Sequence, residues 1–262
     1  MSEHVTNEEE CTAIIIPLFS TNVLPQGKFV LPNGIQLVCF TRARHLHDSV
    51  PQDSLFVDDV WPGSRVLADF VVDNEVEIAG KYCLELGAGA ALPSLVAASL
   101  GATRVIISDY PADGVIDNIR DVISANKLDN AHAVGHIWGK ENVKALIELG
   151  GIDVHGEKQG YDIIFLAELL WKDTYSSHRS LLESISLCLR KDSGVAYMTL
   201  AHRPTPDALD HTPCKDLEFF TLALSDFGLI STKLQTCTKY NDVSESTPID
   251  VHLYSLRFVS TS

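Results

Sequence analysis

From Lys81 onward the chain alternates between β-prone runs and helix-periodic runs, and nothing else in the sequence restricts the fold as strongly. Tyr82-Cys83-Leu84-Glu85-Leu86 reads as a strand, Pro93 to Leu100 as a helix, Arg104 to Ser108 as a strand and Asp113 to Lys127 as a helix. Ala133 to Trp138 is a weaker strand, followed by a short helix around Asn142 to Leu149 and a glycine-rich loop from Gly150 to Gly160. Tyr161 to Leu170 is almost continuously apolar, the pattern of a strand covered on both faces. Tyr175 to Arg190 then reads as a helix, Gly194 to Leu200 as a strand, and Lys215 to Phe227 as a helix whose stripe Leu217, Phe220 and Leu224 is assigned to the core. Two final runs, Ile230 to Cys237 and Val251 to Val259, have no helix between them. Alternation that ends in such a pair predicts an α/β fold: a mostly parallel sheet with one antiparallel strand and helices on both faces.

Upstream, Phe29-Val30-Leu31 and Ile35 to Phe40 flank Pro32-Asn33-Gly34, which predicts an N-terminal β-hairpin. Pro62 to Val72 has helical spacing at Val66, Leu67, Phe70 and Val71, opened by a proline in its first turn. The chain is therefore expected to divide into an extension with an accessory hairpin, residues 1–55, and a main domain, residues 56–262.

Composition excludes several classes of partner. A net charge of −15, from 20 Lys+Arg against 35 Asp+Glu, repels a phosphate backbone and favours a basic protein or peptide. The cysteines Cys11, Cys39, Cys83, Cys188, Cys214 and Cys237 form no CxxC pair, which suits thiols in a reducing compartment. Ala13 to Phe19 is broken by Pro17, so neither a signal peptide nor a membrane span fits, and a cytoplasmic protein is expected. His45 with His47 and His132 with His136 are the only close histidine pairs; without HExxH or Cys/His clusters, no metal site is expected.

Ligands of open α/β sheets sit at the carboxyl ends of the strands, near the switch in strand order. There the sequence has Glu85-Leu86-Gly87-Ala88-Gly89-Ala90-Ala91-Leu92-Pro93, a glycine loop opening a helix. A dinucleotide fingerprint would need glycine at position 92, where Leu92 stands, and no GxxxxGK[ST] loop exists. A nucleoside ligand without a pyrophosphate remains. Asp109 lies 109 − 87 = 22 residues beyond Gly87, near the spacing at which an acid meets ribose hydroxyls. Trp138 offers an indole to stack on an adenine.

These residues carry a resemblance. Val60-Trp61-Pro62-Gly63 to Phe70, Cys83 to Pro93, Ser108-Asp109-Tyr110-Pro111 with Asp117-Asn118-Ile119, Tyr161 to Trp171, His202-Arg203-Pro204 and Lys215 to Phe220 resemble the seven-strand S-adenosylmethionine-dependent methyltransferases of the lysine-methyltransferase group. They are most similar to the fungal branch once labelled nicotinamide N-methyltransferase-like and now described as elongation factor 1-alpha N-terminal and lysine methyltransferases. The resemblance covers about residues 55 to 230 and implies a Rossmann-like, seven-stranded sheet and S-adenosylmethionine as cofactor. It also implies that Gly87, Ala88 and Gly89 line the methionine moiety with Glu85 nearby, Asp109 binds the ribose diol, Trp138 flanks the adenine, and Trp61 and Ala167 close the pocket. Related members have an Asp-x-x-Tyr pattern after the fourth core strand; Ala167-Glu168-Leu169-Leu170-Trp171 departs from it.

Methyl transfer from a sulfonium to a neutral amine needs positioning more than acid–base machinery. Glu168 is the candidate catalytic residue, orienting the amine, and His202 and Arg203 are candidate substrate contacts. The expected activity is methylation of a lysine and/or N-terminal α-amino group on a basic protein, with elongation factor 1-alpha as substrate, by a monomer. The alternatives are a small-molecule, nicotinamide-like N-methyltransferase and a non-catalytic binding module.

Overall fold

The computed structural model describes residues 23–30, 36–42, 60–112, 114–150, 160–170, 172–201, 215–239 and 249–259. The Asn33-Gly34 turn, most of the loop between Gly150 and Gly160, Trp171, and His202 with Arg203 lie outside them. Strands β1 (Val23–Val30) and β2 (Gln36–Arg42) pair antiparallel, as the turn between them predicts. The other strands are β3 (Tyr82–Leu86), β4 (Arg104–Asp109), β5 (Ala131–Gly135), β6 (Ile163–Ala167), β7 (Val195–Ala201), β8 (Leu229–Lys239) and β9 (Ile249–Phe258). They form a seven-stranded sheet in the order β5-β4-β3-β6-β7-β9-β8. Only β9 runs against the rest, pairing antiparallel with both β7 and β8.

The near-continuous apolar strands are explained by the two layers they separate. Val105 and Ile107, Ile163 and Phe165, and Val195 and Tyr197 point to one face, where α1 (Pro62–Asp73), α3 (Leu92–Ser99) and α4 (Val115–Ala125) pack with Leu67, Leu95 and Ile119. Ile106, Ile164, Leu166, Ala196 and Met198 point to the other, against α5 (Lys144–Leu149), α6 (His178–Cys188) and α7 (Lys215–Phe227). A short α2 (Glu75–Ile78) follows α1. Period-2 alternation with both faces covered is what a buried parallel sheet requires, and each fully buried Leu or Ile adds about 1.5–3 kcal/mol.

Helix α7 turns a different face inward from the one expected. Phe219 and Ala223 are buried and Phe220 half-buried, whereas Leu217 is 57% and Leu224 51% exposed. The helix is apolar on more than one side, so periodicity alone does not select the buried stripe. Phe219 wins because its ring meets His178 edge-on at 5.4 Å and Phe220 at 5.6 Å.

The hairpin docks on the main sheet's α4 face. Asn126, capping α4, accepts the Val38 N–H through Oδ1 and donates through Nδ2 to the Val38 carbonyl, both at 2.8 Å. Leu37 and Cys39 are buried in the same core layer as Leu95. At the amino-terminal edge of the sheet, Asp162 pairs with Arg190 and accepts the Tyr82 N–H at 2.9 Å.

Candidate functional site

Because β3, β4, β6 and β7 are parallel, their carboxyl ends converge on one edge, and β3, with β4 on one side and β6 on the other, is where the strand order switches. The loop from β3 to α3 bends sharply, with Gly87 at φ +64°, Gly89 at +53° and Ala91 at +61°. The Ala88 N–H donates to the Ser108 carbonyl at 3.1 Å, which holds the loop against the neighbouring strand.

Asp109 ends β4 on the α3 face. Its Oδ2 accepts the Gly89 N–H at 2.7 Å and its Oδ1 the Tyr110 N–H at 2.6 Å. Burial raises its pKa, and these two hydrogen bonds oppose the rise. Each oxygen keeps a second lone pair, which suits donors such as a vicinal diol.

Glu85 lies on the same face of β3, fully buried, and its Oε2 accepts the Ser94 N–H at 3.2 Å in the first turn of α3. Burial pushes its carboxyl up to about 8, with the nearby Asp109 charge adding to the rise. Its Oε1 is buried without a hydrogen-bond partner among the described residues.

Gly87 and Gly89 both take a left-handed backbone, but their surroundings differ. A Cβ on Gly87 would lie 2.7 Å from Leu169 Cδ2 and 3.3 Å from Trp138 Cζ2, so these side chains close over its backbone. At Gly89 a Cβ would meet nothing within 4 Å, so this side of the loop is open to a ligand. The orphaned Glu85 Oε1, the bonded Asp109 carboxyl and the open side of Gly89 fit a nucleoside bearing a cationic, amine-containing tail.

Glu168, just past β6, adopts a left-handed backbone at φ +53° and is 5% exposed. A Cβ on Gly63 would fall 2.4 Å from its Cγ and 2.8 Å from Thr199 Oγ1. Its side chain therefore packs on the first turn of α1, which Trp61 precedes as N-cap, and its N–H donates to the Thr199 carbonyl at 3.0 Å. Ala167, half-buried, ends β6 beside it.

Gly87, Gly89, Ala88, Asp109 and Trp138 are thus gathered around one loop, with Glu85 beneath it, while Glu168, Ala167 and Trp61 form an adjoining cluster at the α1 end. Trp138 stands three residues beyond β5 rather than at its end, because β5 stops at Gly135. Leu169, Gly63 and Thr199 were not legible as site residues. Leu169 is indistinguishable from its apolar run, Thr199 lies in an unremarkable strand, and only the small residue after Trp61-Pro62 hinted at a close approach at Gly63. Among the described residues, no three His, Cys, Asp or Glu side chains gather as a metal site requires, and no helix is long and apolar enough to cross a membrane.

The lysine methyltransferase family model matches residues 52–223. The chain belongs to the lysine methyltransferase family. The match takes in this family member's glycine loop, Asp109, Trp138 and Glu168 together. A Gibberella zeae protein named protein N-terminal and lysine N-methyltransferase EFM7 is 35% identical over 162 residues, 58% of this chain and 60% of its own length. Proteins of the same name from Neurospora crassa and Schizosaccharomyces pombe are each 32% identical, over 73% and 68% of this chain and 67% and 66% of their own lengths. The chain thus spans about three fifths to two thirds of these relatives. The fold of this lysine methyltransferase family member is also that of PH1948 from Pyrococcus horikoshii, described as a candidate RNA methyltransferase: TM-score 0.51, 18% identity, covering 82% of this chain and 90% of that one. SMU.776, solved in complex with SAH, has the same TM-score of 0.51 at 19% identity, covering 87% of this chain and 56% of that one.

Proposed function

We propose that this chain is an S-adenosylmethionine-dependent protein N-methyltransferase acting on a lysine and/or an N-terminal α-amino group, with elongation factor 1-alpha as its substrate. The observation that carries the reading is the contact between the Gly89 N–H and the Asp109 carboxylate, which holds a ribose-binding acid against a glycine loop with an open side. The names of the fungal relatives support a protein amine over a small pyridine. Trp138 flanks the adenine, Asp109 takes the ribose hydroxyls, Gly87, Ala88 and Gly89 line the methionine moiety with Glu85 below its amine, and Trp61 and Ala167 close the pocket.

When bound, the cofactor supplies a methyl group on a positively charged sulfur, already activated for in-line displacement. The Asp109 carboxylate, held against the glycine loop, suits that cation, whereas Glu85, pushed up to about 8, is mostly protonated at neutral pH until a cation arrives beside it. An attacking lysine, ordinarily near 10.4, must lose its proton, whereas an α-amino group near 7.7–8.0 is partly neutral at pH 7. Glu168, packed on the α1 N-terminus, orients the amine from the β6 end, and the enzyme acts as a monomer in the cytoplasm.

The test is transfer of labelled methyl groups to purified elongation factor 1-alpha and to lysate from cells lacking this protein, with mass spectrometry of the labelled chain. Label on a lysine or N-terminal amine is expected. Absence of any labelled protein, with turnover of small pyridines instead, would overturn the reading.

A further inference from the structure

Trp138 is half-buried, packing against the core layer that holds Leu169 while its indole lies over Gly87. The loop that carries it is fastened at both ends to one side chain 46 residues further along the chain, on α6. Ser184 Oγ, fully buried, accepts the Gly139 N–H at 2.9 Å and lies 3.0 Å from His136 Nε2, while donating to the Ser180 carbonyl at 3.2 Å. A hydroxyl has one proton and two lone pairs. With its proton on Ser180, one lone pair accepts the Gly139 N–H and the other faces His136 Nε2, a bond made by the tautomer that carries its proton there. Burial holds the His136 imidazole below its usual range, against a backbone hydrogen bond at Asn142 that raises it, which favours the neutral ring.

The same loop is tied to the rest of the site. The His136 N–H donates to the Asp109 carbonyl at 2.8 Å, and the Lys140 N–H to Glu183 Oε2 at 3.2 Å. Gly139, at φ +128°, adopts a backbone that other residues rarely enter, and this turns its N–H to the helix. A buried serine inside a helix is a poorer helix former than alanine and costs stability unless its hydroxyl is satisfied. Two of its three bonds here go to the residues that bracket Trp138.

We propose that Ser184, acting with His136, is a positioning residue for the cofactor site: it clamps the loop 136–139 so that the Trp138 indole stands as a preformed wall beside the glycine loop. The inference rests on the reading of Trp138 as the adenine wall. It adds to that reading a residue on α6 that sets cofactor affinity through the indole and not through contact with the ligand.

The test uses the full chain and S-adenosylhomocysteine, with binding followed by calorimetry. Loss of hydrogen bonds of this kind weakens binding by roughly fivefold to tenfold in Ser184→Ala, read as a rise in Kd and, in turnover with S-adenosylmethionine, as a rise in cofactor KM with a smaller change in kcat. Ser184→Cys, which nearly keeps the side-chain volume and weakens the bonds, gives a smaller loss in the same direction and serves should the alanine variant not fold. Ser186→Ala, whose hydroxyl donates to the Glu183 carbonyl and bonds nothing else among the described residues, binds as the parent does. In a Trp138→Ala background the Ser184→Ala effect disappears, because its route to the ligand is gone.

Unchanged affinity in Ser184→Ala and Ser184→Cys, while Trp138→Ala weakens binding, overturns the clamp and leaves the cofactor reading standing. A Ser184→Ala loss that persists undiminished in the Trp138→Ala background also overturns it. If Trp138→Ala itself binds normally, the adenine-wall reading falls and the clamp's role in binding falls with it.

Discussion

The Gly89 N–H reaches Asp109 Oδ2 at 2.7 Å across two neighbouring strands, so the acid is held against the glycine loop before any ligand arrives. Replacing Asp109 removes this tie and, on the proposed reading, an acceptor for the ribose. Asp109→Ala is expected to weaken S-adenosylmethionine binding by about 1.5–3 kcal/mol, the range for hydrogen bonds to a charged group. Calorimetry on the variant checks it, and affinity equal to the parent's would remove the ribose assignment.

Glu85 makes the stability of the cofactor-free protein depend on pH in a definite direction. Its carboxyl sits at about 8 in the folded chain against an ordinary 4.5, so between those values the folded state binds more protons than the unfolded one. Its contribution is fully present below about 4.5 and is lost as pH rises through about 8. Glu85→Gln, which keeps an acceptor for the Ser94 N–H and does not ionise, is expected to be a few kcal/mol more stable relative to the parent at about pH 8.5 than at about pH 5. Urea unfolding of both proteins at the two pH values measures this, and parallel pH profiles would contradict it.

Gly63 leaves the space that Glu168 fills. A Cβ at Gly63 would lie 2.4 Å from Glu168 Cγ, in a buried site with little room to relax. Gly63→Ala is expected to cost about 1–3 kcal/mol through overpacking. Much of that cost should vanish in a Glu168→Ala background, since the two sites are in contact. Thermal unfolding of the four proteins gives the coupling; strict additivity would show that the pair does not interact.

With a net charge of −15, recognition of a basic protein substrate should weaken with salt while cofactor affinity hardly changes. Substrate KM and cofactor Kd measured from about 50 to 300 mM salt separate the two. A flat substrate KM would mean that long-range charge does not guide the substrate.

Much of the fold was legible because strand and helix signals are local. Tyr82 to Leu86 is a strand as read, and Arg104 to Ser108 and Gly194 to Leu200 shift by a residue or so, since alternating apolar faces are written into five to seven consecutive residues. Gly87, Gly89 and Asp109 were legible for a related reason: a tight strand-to-helix turn and the next strand's end are set by short spacings. Glu168 was visible as an acid at a strand end, but its packing on Gly63 was not, because it needs β6 and β7 brought beside α1.

The sequence by itself determined the alternation, the sheet class and the tight glycine turn between β3 and α3. Tertiary structure alone decided which of the apolar sides of α7 was buried, that Leu169 closes over Gly87, and that Ser184 fastens the Trp138 loop. The physical reason is range: backbone preferences act over a few residues, whereas these contacts join segments dozens of residues apart that meet only once the strand order β4-β3-β6 is set.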